Sequence, residues 1–454
     1  MGRGTYIAHN AYSDSGAAFG LLSVLPAAYI EAVTERPFAS FFNALSGASI
    51  GGVITASLAI GAPAIELAHS IYACSIDLLN RSSQSLVVSQ ILNQKIFGGH
   101  HVLADHFDHS VLYRMLAPRY GDTTMSDLPV SLVLSAHNMT KKRDELLGRL
   151  DSRLFDTGAL AMELVNGTTR LIDGVMAGTS IPSVFMPYTV KGSHYRDNGM
   201  VISAGLIHKE LDAALKARQQ ALHAGNINPD ISRRGFLSFG RAGAAPAKFR
   251  TLANTDHALV RTLFLGTGDM SELPYTPERQ VHAGFFGAID NAEYSTLHAT
   301  KAGAWAQDRR DMARGYDPAS MAATGMPAIT PINRSIIPRQ GTEEERLFPT
   351  SNPLDCTPAN LHKIFYVAAL NVADNVGKLG AMLHEIAVTR YAQGDIDADE
   401  YRKSCADAHR IATQDPWPIL ERIMVTDRNG QEIYNRYSQE KRRRVRWPRL
   451  EAVA

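Results

Sequence analysis

Cysteine is scarce. Only Cys74, Cys356 and Cys405 occur in 454 residues, odd in number, widely separated and without C-x-x-C spacing. They supply neither a disulfide framework nor a zinc site, and they fit a reducing cytosol. An excess of charge of one sign is also missing: the formal net charge is +1, so no global field steers the chain toward nucleic acid or anionic lipid. No uninterrupted apolar stretch reads as a membrane span, and the N-terminus has no basic region followed by an apolar one. Met1-Gly2 does not open a myristoylation signal, because Tyr6 stands where serine or threonine is wanted. Arg233-Arg234 lies mid-chain, without the apolar segment of an export signal. Repeats and low-complexity tracts are absent. Hydrophobic content of 45% and charged content of 20% are globular values. The expectation is a cytoplasmic protein, long enough for one large domain with an extension, or for two domains.

The most informative segment is Gly47-Ala48-Ser49-Ile50-Gly51. Phe41-Phe42-Asn43-Ala44-Leu45 enters it as a strand, and Gly51 to Ala59 leaves it with helix character. Strand, sharp turn and helix form the context in which G-x-S-x-G means a nucleophile elbow, with Gly47 and Gly51 permitting close approach of the two elements. Chance supplies roughly 0.2 copies of the pentapeptide in a chain this size, so motif and context must carry the reading together. A structural tight turn is the alternative.

From about Thr5 to Gly268, short apolar runs alternate with helical stretches, the pattern of an α/β domain. Strands are expected near Tyr6-Ile7-Ala8, at Pro129 to Ala136 and at Leu259 to Leu265. The first leads through Ser13-Asp14-Ser15-Gly16-Ala17-Ala18-Phe19-Gly20 into a helix whose apolar face runs from Leu21 to Val33, with Pro26 early in it. Residues 216–250 read as a mobile insertion, and the proline-rich stretch within 271–357 as an extended connection. A helical part with apolar positions Leu361, Ile364, Phe365, Val367, Ala368 and Leu370 begins near Pro358 and occupies 358–454.

A serine nucleophile needs a base and a place for the oxyanion. Asp197, just before Asn198-Gly199, sits on a turn that tolerates positive φ and so presents its carboxylate; a hairpin turn with a solvated aspartate is the bland alternative. The small residues from Ser15 to Gly20 join a strand to a helix start. Free backbone N–H groups there can hold an anion, or the segment is an ordinary connection.

In chain order these pieces resemble the patatin-like phospholipases, with their D-G-G-G-x-R-G loop, G-x-S-x-G elbow and D-G-G or D-G-A aspartate. Tyr120-Gly121-Asp122-Thr123-Thr124-Met125-Ser126-Asp127-Leu128 is similar to the family's F-G-D-x-x-L-S-D-L run. Ala177 to Pro187 is similar to its A-S-x-A-x-P-x-x-F-x-P segment, and Leu263 to Gly268 to its L-S-L-G-T-G strand end. The resemblance covers about residues 5–270. It implies a three-layer α/β/α fold with a mainly parallel central sheet, here followed by a helical C-terminal extension. It further implies a Ser–Asp dyad in a lipid acyl hydrolase of phospholipase A type. Ser49 would be the nucleophile, Asp197 the base, and the N–H groups of Gly16 and Ala17 the oxyanion hole. No metal or other cofactor is required, and the substrate would be a membrane phospholipid.

The sequence departs from the family at Ser15 and Ala17, which replace glycines, at Phe19, which replaces a cation, and at Asn198. These bear on efficiency and headgroup preference more than on fold. A catalytically weak patatin-like domain acting as a binding or regulatory module is therefore the rival reading, and a hydrolase of soluble esters another. His100, His101, Asp105, His106, Asp108 and His109 look like a metal cluster, with His101, Asp105 and His109 on one helical face, but polar helix faces are common. Lys441 to Arg449 concentrates cations around Trp447, as an anionic bilayer surface would require; a solvated terminus is the alternative, and nucleic acid is not expected. Oligomeric state is open.

Overall fold

The computed structural model describes residues 5–78, 109–165, 167–181, 185–199, 201–225, 252–268, 327–339, 341–350 and 355–444, with side chains to residue 439. The β-branched and aromatic run of β1 (Thr5–Ser13) forms the centre of a nine-stranded sheet. Along the main path the order is β5 (Leu164–Val165), β4 (Arg143–Arg149), β3 (Ser131–Asn138), β2 (Ala44–Gly47), β1, β8 (His257–Leu265) and β9 (Ile329–Ile332). From β3 to β9 the strands run parallel, whereas β4 is antiparallel to β3. A hairpin of β6 (Tyr188–Val190) and β7 (Ser193–Arg196) joins through antiparallel pairing of β7 with β3.

Parallel strands are buried on both faces, and β8 shows how. Leu263 and Leu265 enter one apolar cluster, while Ala258, Val260 and Phe264 enter another. The first is covered by α1 (Gly20–Thr34), α2 (Ile50–Ala59), α3 (Ser110–Tyr120) and α4 (Leu171–Gly178). The second is covered by α5 (Ala204–His223). The molecule is thus an α/β fold with helices on both faces of a mainly parallel sheet, followed by C-terminal helices.

Those helices are not an appendage. α6 (Pro358–Ala392) starts where Thr357 accepts the Asn360 N–H and Pro358 takes the first turn, whose N–H is unsatisfied anyway. Its Leu361, Ile364, Phe365, Val372 and Leu379 belong to the same core as Leu21, Leu25 and Tyr29 of α1. α7 (Ala398–Thr413) adds Arg36 Nη2 to Glu400 at 3.0 Å. α8 (Trp417–Ile423) and α9 (Gly430–Arg444) complete the chain that is described.

Three expectations change. Residues 216–223 are the end of α5 rather than an insertion, and 226–251 lie outside the described residues. Part of the expected connection at 271–357 instead supplies β9, whose residues Ile329 to Ile332 pair with Thr262 to Leu265, while 269–326 are outside the description. Ala17–Thr34 does pass as a membrane span by length and composition, with mean hydropathy 1.5, but 83% of it is buried inside the fold. A core helix meets the same composition test.

Polar side chains cross-link the layers. Arg261 on β8 is fully buried, donating to the Pro327 carbonyl and, at 2.9 Å, to Glu385 on α6. His9, paired with Arg261 across β1 and β8, lies 3.8 Å from the same carboxylate. Removing one partner of a buried ion pair leaves an uncompensated charge, so Glu385→Ala is expected to cost about 3–5 kcal/mol, measured as a lower urea midpoint at unchanged slope. Burial also pushes the imidazoles of His9 and His69 below their ordinary value, and that of His208 to about 4. Above pH ~6.5 all three are neutral in both states and contribute nothing; below it the unfolded chain takes up protons that the fold refuses. Stability is therefore expected to fall on acidification, by up to about 1.4 kcal/mol per pH unit for each histidine. Urea midpoints on either side of neutrality check this, and an unchanged midpoint below pH ~6 contradicts it.

Candidate active site

The parallel strands present their carboxyl ends along one edge, where loops from neighbouring strands meet. Ser49 leaves β2 there with φ 53° and ψ −127° and begins α2. A left-handed backbone is strained for a residue with a side chain, and this is the conformation that lifts a nucleophilic hydroxyl off the strand. The Ser49 hydroxyl does not cap the helix it starts. Both elbow glycines are sterically required: a Cβ on Gly47 would lie 2.4 Å from the Gly51 carbonyl oxygen, and one on Gly51 2.0 Å from that of Ser13.

β3 is longer than β2, and this brings Asp197 in. One edge of β3 is occupied by β4. On the other, residues 131–134 pair with β2 and residues 137–138 with β7. β7 runs antiparallel and so descends head-on toward the end of β2, delivering Asp197 directly after Arg196, the partner of His137. Ser49 and Asp197 are only 6% and 8% exposed, so a charge at either position is little screened by water.

The turn that carries Asp197 is built differently from the sequence expectation. Neither Asn198 nor Gly199 has positive φ. Gly199 is needed because a Cβ would sit 2.6 Å from that of Ser15. The Asp197 N–H donates to the Ser180 carbonyl at 3.0 Å, its Oδ1 accepts the Gly199 N–H at 2.7 Å, and the Asn198 amide donates to Asp144 at 3.1 Å. Below it, Glu145 accepts from Asn138 at 3.0 Å and from Tyr195 at 2.8 Å. Burial works against its charge, but those bonds, with Lys141 and Arg143, hold the carboxyl below its ordinary value.

The loop after β1 supplies the third part. Neither the Gly16 nor the Ala17 N–H finds a backbone acceptor among the described residues, and Ala17 has φ 47°. Gly16 packs so tightly that a Cβ would meet the Thr267 side chain at 2.8 Å. Thr267, just past β8, hydrogen-bonds the Ser15 carbonyl at 2.6 Å and Asp14 Oδ2 at 3.2 Å, and Asp14 Oδ1 accepts the Ser15 N–H at 2.8 Å. Phe19 is fully buried in the core.

Ser15, Asp14, Thr267 and Ser180 escaped the sequence reading as positioning groups, although all four lie in quoted segments. Ser15 is the most telling. Its hydroxyl donates to the Gly199 carbonyl at 2.5 Å and so ties the candidate oxyanion loop to the aspartate turn. His109, read as a member of a metal cluster, instead bonds Ser180 Oγ at 3.0 Å and stacks on Phe185 with ring centroids 5.0 Å apart. His100, His101, Asp105, His106 and Asp108 lie outside the described residues. Among the described residues no group of three His, Cys, Asp or Glu side chains is placed to hold a metal.

Over 212 residues the chain is 26% identical to a cGAMP-activated phospholipase of Pseudomonas aeruginosa. The chain is related to a phospholipase. The matched span is 46% of this chain and 58% of that protein, little more than half the length of the curated relative. No family model matches the sequence. Among solved structures, VipD from Legionella pneumophila aligns over 96% of this chain and 84% of its own at 13% identity, with a TM-score of 0.27, too low to carry an argument.

If Ser15 joins the oxyanion loop to the aspartate turn, Ser15→Ala loses one hydrogen bond of about 0.5–1.5 kcal/mol. The expected result is a fall in kcat of about 2- to 12-fold with KM nearly unchanged. Steady-state kinetics on an ester substrate measures both, and an unchanged kcat removes Ser15 from the site's support.

Proposed function

We propose that the protein is a serine acyl hydrolase of phospholipase A type, releasing fatty acids from membrane phospholipids or related lipid esters. The observation that carries this reading is Ser49, left-handed at a strand–helix elbow, with Asp197 delivered toward it by β7. The relative named as a phospholipase supports the same class.

In this mechanism the Asp197 carboxylate takes the Ser49 proton, directly or through one water, as Oγ attacks the ester carbonyl. The N–H groups of Gly16 and Ala17 hold the oxyanion, each worth about 3–4 kcal/mol in the transition state. The C–O bond to the alcohol breaks, Asp197 returns the proton to the departing oxygen, and an acyl-enzyme remains. Asp197 then accepts a proton from water as its oxygen attacks, and collapse breaks the bond to Ser49 Oγ, which takes that proton back from Asp197 as the fatty acid leaves. No step needs a metal or other cofactor.

A cytoplasmic, peripherally membrane-bound enzyme fits this reading, with the basic run Lys441 to Arg449 as one contact to anionic lipid; residues from 445 on lie outside the described residues. Free phospholipase activity would damage the cell's own membranes, so control by a ligand, partner or assembly belongs to the proposal. The relative's activator makes cGAMP the first ligand to test.

Fatty-acid release from mixed phospholipid vesicles, with and without cGAMP, tests the reading. Wild type is expected to release fatty acid, and Ser49→Ala and Asp197→Ala each to lose about 10³-fold or more in kcat. Release by Ser49→Ala would refute the nucleophile. Hydrolysis of soluble esters alone would shift the substrate class. Silence of the wild type toward both would favour the binding-module reading.

A further inference from the structure

Two hairpin tips stand beyond the dyad. The turn between β3 and β4 comprises Met139, Thr140, Lys141 and Lys142, and that between β6 and β7 comprises Lys191 and Gly192. They rise together: the Met139 N–H donates to the His194 carbonyl at 2.8 Å, and the His194 N–H to Thr140 Oγ1 at 3.0 Å. Ala136 marks the height at which Asp197 follows Arg196, so about four strand residues, roughly 13 Å, separate the dyad from the tips.

These tips are built against local preference. Lys142 and Lys191 have φ of 55° and 49°, both left-handed. Gly192 follows with φ 77°, so Lys191-Gly192 has the two positive φ values of a turn whose ordinary first residue is asparagine, not lysine. Only five described non-glycine residues have positive φ, and Ser49 and Ala17 at the candidate site are two others. Strain of this kind concentrates where function demands a particular side chain. Among the described residues, neither lysine has a carboxylate partner, whereas Lys141 and Arg143 pair with Glu145 and Glu163. Large apolar side chains also face water: Met139 in the first tip is 41% exposed, and nearer the level of Asp197 Met186 is 52% and Val201 59% exposed. Met186 lies two residues before β6, and Val201 four after Asp197.

We propose that these two tips, with Met186 and Val201 on the adjoining rim, form a docking lip for an anionic lipid surface. The inference rests on the lipid-hydrolase reading and deepens it by naming the surface that meets the substrate bilayer. Cations without a carboxylate partner meet phosphate, methionine enters the acyl boundary, and the strand ends that carry Ser49 and Asp197 are held toward the membrane. The lip belongs to the folded domain and is independent of the basic C-terminal run.

Binding is measured in the Ser49→Ala background, so that vesicles survive and the result does not depend on turnover. The probes are phosphatidylcholine vesicles with and without phosphatidylglycerol. Lys142→Gly combined with Lys191→Asn suits both turns better than the lysines do, so the melting temperature is expected to stay level or rise. The same variant is expected to bind the anionic vesicles about tenfold or more weakly. Met139→Asp is expected to weaken binding to both vesicle types. Undiminished binding by both variants overturns the lip, as does a Ser49→Ala protein that ignores anionic vesicles. Because hydrolysis is not read, failure of the lip is distinct from failure of the catalytic proposal, which vesicle hydrolysis by the wild type decides.

Discussion

Close backbone contact at the end of β1 is the constraint on which the rest of this structure depends. The carbonyl oxygens of Ser13 and Asp14 lie where a Cβ on Gly51 would fall, at 2.0 and 2.7 Å. Only glycine lets α2 start so near the sheet, and only then can Ser49 take its left-handed turn between strand and helix. A second contact of this kind sets Gly20 against Ile50, where a Cβ would lie 2.6 Å from the isoleucine side chain. α1, α2 and the ends of β1 and β2 are therefore fixed relative to one another to within a methyl group. Cores packed at crystal-like density transmit such constraints without slack.

Around that junction, hydrogen bonds do the work that packing cannot. Thr267, Asp14 and Ser15 bind the segment after β1 to the segment after β8, and Ser15 carries the link on to Gly199. Three loops from distant parts of the chain thus share one network, and the low dielectric of a buried site makes each bond stronger and each loss costlier. Ser15 stands where the resembling family has a glycine. It supplies the hydroxyl that closes the network, and the space for it comes from the missing side chain at Gly199.

The C-terminal helices do structural work of the same order. α6 buries its apolar face on α1, and its Glu385 reaches the buried Arg261 of β8. Separating that helix from the sheet would expose a continuous core and strand a guanidinium in it. The sheet domain and the helical part consequently form one body, and the layer that α6 provides is a condition for β1 and β8 to be buried on both faces.

By itself the sequence determined the alternation of strands and helices, the elbow with its two glycines and the start of α6 at Pro358, and it singled out Ser49 and Asp197 as candidates. These are local properties: glycine spacing, apolar periodicity and capping residues act over a few neighbours and can be read there. Tertiary structure alone decided that β7 meets β2 along one edge of β3, that Ile329 to Ile332 form an edge strand, that Ser15 bonds Gly199, and that two lysine-bearing strained tips rise together above Asp197. Each depends on partners 50 to 190 or so positions away, or on the relative height of two strands. Such pairings are selected by the summed packing of the whole core, and no short window of sequence contains them.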